Sequence, residues 1–82
     1  MYICKVCGYD KLEYPQYDSK GYPTYIICSC CGFESGFHDG CEEISIEEFR
    51  IEWIEEGSNW FSTHDPKPVN WDWKKQIKRV NN

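Results

Sequence analysis

Eighty-two residues with six cysteines and a net charge of −5 bound one small domain, taken here as 1–82. No apolar run approaches the roughly 20 residues that a membrane-spanning helix needs. The N-terminus also lacks the basic and long apolar stretches of a secretion signal. The expected compartment is therefore the reducing cytoplasm, where patterned cysteines bind metal rather than pair as disulfides. The acidic balance counts against nucleic acid, whose phosphates are neutralised by Lys and Arg. A domain of this size has a thin margin of stability and calls for a staple. A structural zinc supplies on the order of 10 kcal/mol, against a typical total stability of about 5–15 kcal/mol.

The chain opens on Tyr2-Ile3-Cys4-Lys5-Val6-Cys7-Gly8-Tyr9. Two cysteines three positions apart in a tight turn aim both sulfurs at one point. The following Gly tolerates positive φ and lets backbone amides face the sulfurs. Tyr2 and Ile3 lead in as a short strand. Residues 10–25 follow, rich in Tyr and Pro (Tyr14, Pro15, Tyr17, Tyr22, Pro23, Tyr25). Asp18-Ser19-Lys20-Gly21 reads as a β-turn, giving a loose hairpin with arms near 11–17 and 22–27. The prolines suit edge positions. The tyrosines are expected to pack over the cysteine turns, since too few cations lie nearby for stacking on bases.

Ile26-Ile27-Cys28-Ser29-Cys30-Cys31-Gly32-Phe33 repeats the opening pattern: apolar, Cys, two residues, Cys, Gly, aromatic. One such pair is a weak signal because redox motifs share it. Two, each with its Gly, point to a closed four-thiolate site, with Cys4, Cys7, Cys28 and Cys31 as zinc ligands. Cys30 breaks the match to the first knuckle and is read as a non-ligand. Cys41 has no partner at motif spacing and is read as a free thiol. Residues 34–44 form a turn-rich crossing that carries His38, expected at the surface.

Ser45 with Glu48 makes a capping box, and Gly57 is a helix stop. The helix between them should turn Ile46, Phe49, Trp53 and Ile54 toward the knuckles. Trp60 and Phe61 should fold back on the core, and Asp65-Pro66-Lys67-Pro68 blocks regular structure. His64 beside Asp65 has no nucleophile near it and reads as a surface pair. A last helix is expected over 71–80, capped by Asn70. It would pack Trp73, Ile77 and Val80, leaving Lys74, Lys75, Lys78 and Arg79 outside. Residues 42–56 hold seven glutamates and one arginine, a net of −6. Residues 66–82 hold five basic residues and one aspartate, a net of +4. These runs read first as two solvated helix faces. Glu47, Glu52, Glu55 and Glu56 also offer a surface for a basic protein partner.

With these residues in hand, the chain resembles the cysteine-rich CPCC family of small bacterial proteins. The resemblance rests on the two knuckles, the Tyr17-Asp18 and Gly21-Tyr22-Pro23 turn, and Ile46-Glu47-Glu48-Phe49-Arg50. Trp53-Ile54, Trp60-Phe61 and Asn70-Trp71-Asp72 extend it over nearly the whole chain. Ser29 stands where the family name implies Pro. The resemblance implies a fold and a metal site more than an activity. The first knuckle is also similar to that of rubredoxin, and four thiolates can hold iron as well as zinc.

The sequence thus reads as a small α+β zinc ribbon: two CxxCG knuckles and a β-hairpin (1–41), then one or two helices (42–82). No catalytic triad, phosphate loop or open metal position is visible. The expected role is a non-enzymatic, metal-stabilised module that recognises a protein, as a monomer or weak oligomer. Its size and charge suit an immunity- or antitoxin-like part. The alternatives are a rubredoxin-like iron electron carrier and a nucleic-acid-binding ribbon, the latter disfavoured by charge.

Overall fold

The two knuckles are built alike in the computed structural model, which describes residues 1–81; Asn82, the last residue of the expected domain, lies outside them. In the first, the Gly8 amide donates to the Cys4 carbonyl at 2.9 Å and the Cys4 amide donates to Tyr9 at 2.7 Å. In the second, Gly32 donates to Cys28 at 2.9 Å and Cys28 donates to Phe33 at 3.0 Å. Gly8 and Gly32 have nearly the same positive φ, 83° and 82°, which is why each knuckle ends on glycine. The sequence repeat is thus a repeat of backbone structure.

The β structure is slighter than the sequence suggests. Only isolated antiparallel bridges form among the described residues: Tyr2 with Leu12, Tyr17 with Pro23, and Ile27 with Glu34. The expected turn is present, with the Gly21 amide donating to the Asp18 carbonyl at 2.9 Å and Asp18 Oδ1 accepting from Lys20 and Tyr22. The arms at 11–17 and 22–27 do not extend into strands. Pro15 and Pro23 have no amide to donate, and Tyr25 has a left-handed φ of 62° that breaks the extended run.

The first helix, α1 (Ile46–Glu55), follows the sequence closely. Ser45 Oγ accepts from the Glu48 amide, and Glu48 accepts from the Ser45 amide. At its end the Gly57 amide donates to Ile54 and Ser58 donates to Trp53, the paired closure that a left-handed glycine allows. The second helix, α2 (Trp73–Ile77), is shorter than expected. Asp72, not Asn70, caps it: its side chain accepts from the Lys74 and Lys75 amides, while Asn70 sits at a left-handed φ of 59°. Beyond Ile77 the backbone tightens into turns, with Val80 and Asn81 both donating to Ile77.

The crossing contains a π-helical turn, Phe37–Cys41. It carries His38 inward, correcting the expected surface position. The His38 ring stacks on Phe33 with centroids 5.7 Å apart and meets Phe49 at 4.8 Å. Its Nδ1 accepts from the Glu34 amide at 3.0 Å.

The core is centred on the cysteines. Phe33, Val6, Leu12, Trp53 and Ile77 are buried with them. Ile46, Phe49 and Ile54 of α1 and Trp73 and Val80 of the C-terminal segment pack against this centre. A run of packed rings forms the outer wall: Tyr9 on Trp60, Trp60 on Trp71 and Trp53 on Trp73 edge-to-face, and Trp53 on Trp71 tilted. Apart from Tyr9, the tyrosines contribute little to that wall. Tyr14, Tyr22 and Tyr25 are exposed, and the tryptophans of the second half supply the bulk. The radius of gyration is 12.0 Å, close to the roughly 12 Å of a folded chain this long.

Candidate metal centre

The knuckles bring four sulfurs together. The ligand atoms of Cys4, Cys7, Cys28 and Cys31 all lie within 4.8 Å of one another, and all four residues are buried. Two of the distances pair one knuckle with the other: Cys4 Sγ to Cys31 Sγ and Cys7 Sγ to Cys28 Sγ are each 3.8 Å. A tetrahedral ion with bonds of about 2.3 Å to sulfur requires sulfurs about 3.8 Å apart. The donor set therefore fits a metal ion. No water-facing fourth position is left, since each of the four is at most 6% exposed.

Electrostatics point the same way. Thiol donors from Cys28, Cys31 and Cys7 drive the Cys4 thiol below its ordinary pKa. Cys7 is driven up by hydrogen bonding with Cys28 and its neighbours, and Cys31 is pushed up chiefly by burial. Four thiols this close cannot ionise together on their own. A divalent cation removes the conflict by taking all four as thiolates and releasing their protons.

Amide donors surround the sulfurs. Cys4 Sγ accepts from the Val6 amide at 3.4 Å and from Gln16 Nε2 at 3.2 Å. Gln16 is itself buried and its Oε1 accepts from the Lys5 amide at 2.8 Å. Gln76 of α2 is the counterpart on the other side. Its Nε2 donates to the Cys7 carbonyl at 3.0 Å and to Cys30 Sγ at 3.3 Å, while its Oε1 accepts from Trp71 Nε1. Arg50 of α1 donates to the Val6 and Lys5 carbonyls, each at 2.7 Å. Arg79 donates to the Gly8 carbonyl. Sequence reading missed the two glutamines, for which composition and spacing carry no signal. Arg50 had one: it is the lone cation of a stretch with seven glutamates.

Cys30 and Cys41 part company. Cys41 is exposed and free. Cys30 is fully buried beside Gln76 but stands outside the four-sulfur group, so it belongs to the packing under α2. The four glutamates of the expected partner surface, Glu47, Glu52, Glu55 and Glu56, are all exposed. None of them forms an ion pair among the described residues. His64 and Asp65 are exposed as well. No helix of the described chain is long and apolar enough to cross a membrane.

The chain is similar to two proteins of Bacillus subtilis (strain 168). It is 31% identical to Uncharacterized protein YoaQ over 70 residues, which cover 68% of this chain and 59% of that one. It is 28% identical to Uncharacterized protein YozI over 80 residues, covering 79% of this chain and 66% of that one. The chain thus spans less than two thirds of the length of the relatives it matches. No family model matches, and no solved structure does.

Proposed function

We propose that the chain is a zinc-stabilised, non-enzymatic module that binds a basic protein partner through the outer face of α1. The observation that carries the zinc reading is the cluster itself: four buried sulfurs, 3.8 Å apart across the knuckles, with no open coordination position. Closed four-cysteine sites of this kind hold a fold together, whereas catalytic zinc keeps a position for water or substrate. Membership in the cysteine-rich CPCC family accords with the doubled knuckle, and is proposed on that basis.

The partner reading rests on α1. Its one cation, Arg50, is turned inward onto knuckle carbonyls. The outward Glu47, Glu52, Glu55 and Glu56 are left without compensation, a field that steers and orients a basic surface. An immunity- or antitoxin-like role is one form such binding takes.

The test is elemental analysis of the purified protein and of single variants. One zinc per chain is expected, retained in Cys30→Ser and Cys41→Ser and lost in Cys4→Ser and Cys31→Ser. Retention in Cys31→Ser with loss in Cys30→Ser would overturn the ligand assignment. A second reading, a rubredoxin-like iron carrier, is favoured by the N–H donors on Cys4 Sγ, since such bonds tune the potential of iron–sulfur sites. Red protein with one iron per chain would establish that reading; colourless zinc protein would dismiss it.

A further inference from the structure

Beside Cys31 lies a depression of about 250 Å³ lined by Trp53, Trp60, Phe61, Glu56 and Asn59. We propose that it binds an organic cation: the ammonium head of a lysine-type side chain carried by the basic partner. The side-chain assignment rests on the partner reading above; the cation site itself does not.

The rings are held open. Phe61 is 57% exposed, yet it is no loose end. Its amide donates to the Cys30 carbonyl at 2.9 Å, and one side of its ring covers Gly32, where a Cβ would come within 2.5 Å of it. Trp53 Nε1 donates to the Asn59 carbonyl and Trp60 Nε1 to the Asp65 carbonyl. Trp53 packs on Trp71 and Trp73, and Trp60 on Tyr9 and Trp71. Trp53 and Trp60 are thus each fixed by a hydrogen bond and by ring packing, Phe61 rests against Gly32, and the depression lies among them. Rings arranged around a gap attract a cation through their quadrupoles and recognise methylated or free ammonium groups.

Charge at the site has the matching sign. Glu56 is the C-terminal cap of α1, and Glu55 precedes it. The negative end of the helix dipole disfavours acids there and favours cations. The last turn has no basic residue, and Glu56 has no ion pair among the described residues. The carbonyls of the helix end are capped from within the fold, but its acidic charge has no paired cation among the described residues. With a divalent ion bound, the four thiolates add a net −2 behind Cys31, which strengthens the same preference. A neutral apolar ligand would gain nothing from either feature, and an anion would be repelled.

The test uses metal-loaded protein, its metal content measured on each sample, and NMR titration with three probes. Choline is the cation, 3,3-dimethyl-1-butanol its neutral isostere, and N-acetyl-lysine methylamide the side-chain mimic. The expected result is saturable shifts of the Trp53 and Trp60 indole N–H and the Phe61 amide with choline and the lysine amide. The alcohol should have far less effect. Phe61→Ala and Glu56→Gln should each weaken binding roughly three- to tenfold without loss of metal. Equal binding of the alcohol, or no saturable shift in metal-loaded protein, overturns the cation site and leaves the zinc reading standing. Binding of choline without the lysine amide overturns the side-chain assignment. Binding by protein that carries no metal supports the site and breaks the zinc reading instead.

Discussion

Gly8 is where the first knuckle meets the C-terminal helix. Its φ is +83°, and a Cβ there would lie 2.3 Å from the Gln76 carbonyl oxygen. Gly8→Ala therefore faces two penalties: the left-handed conformation, worth about 1–2 kcal/mol for an L-residue, and a backbone collision that α2 must move to relieve. Gly40, with open space around it, is the control. Urea denaturation of metal-loaded protein should show Gly8→Ala destabilised by more than about 2 kcal/mol and Gly40→Ala almost unchanged. Asp39 gives a prediction in pH. Burial opposes its charge, but hydrogen bonds from Tyr17 and the Gly36 amide outweigh this and lower its pKa. A carboxylate whose folded pKa is depressed adds stability above its unfolded value of about 3.9, lost as pH falls through the folded value. The stability gap between wild type and Asp39→Asn should be full at neutral pH and narrow as pH falls toward the folded value, read on samples whose metal content is measured at each pH and found equal in the two proteins. A gap independent of pH would show that the Asp39 charge contributes nothing.

At the scale of elements, α1 was the most legible part of the sequence. Its capping box, its Gly57 stop and its apolar stripe all point to the same ten residues, because each signal is local. Trp53 is its anchor: the ring is buried and Nε1 donates to the Asn59 carbonyl at 2.9 Å. Trp53→Ala should cost about 3–5 kcal/mol, read from the shift of a denaturation curve; an unshifted curve would place the ring outside the core. The hairpin and α2 were less legible. Proline and a left-handed Tyr25 cut the hairpin arms short. Asp72 took the capping role from Asn70 because its side chain reaches two amides at once. The π-helical turn left no sequence signature, and with it His38 moved from the surface to the aromatic layer around Phe33.

For the whole molecule the decisive question is whether the four-sulfur cluster, which could hold an ion, carries one. A bound structural ion supplies on the order of 10 kcal/mol, comparable to the entire stability of a domain this small. A strong chelator at neutral pH should abolish the near-ultraviolet circular dichroism of the packed tryptophans, and added zinc should restore it. A spectrum unchanged by chelation would mean that the aromatic wall stands without the ion. Acid should release the metal too, since thiolate ligands must take up protons as they let go. The doubled knuckle, its four thiols and α1 could be read from local patterns, since spacing, glycine and capping chemistry act within a few residues of one another. What surrounds them came from the packing of distant segments. Gln16 and Gln76 reached the cysteine cluster, Arg50 turned inward, Cys30 became core, and Trp53, Trp60 and Phe61 were left around a gap. Those outcomes depend on packing between segments far apart in the chain, and no local pattern encodes which buried amide, or which ring, closes over a given sulfur.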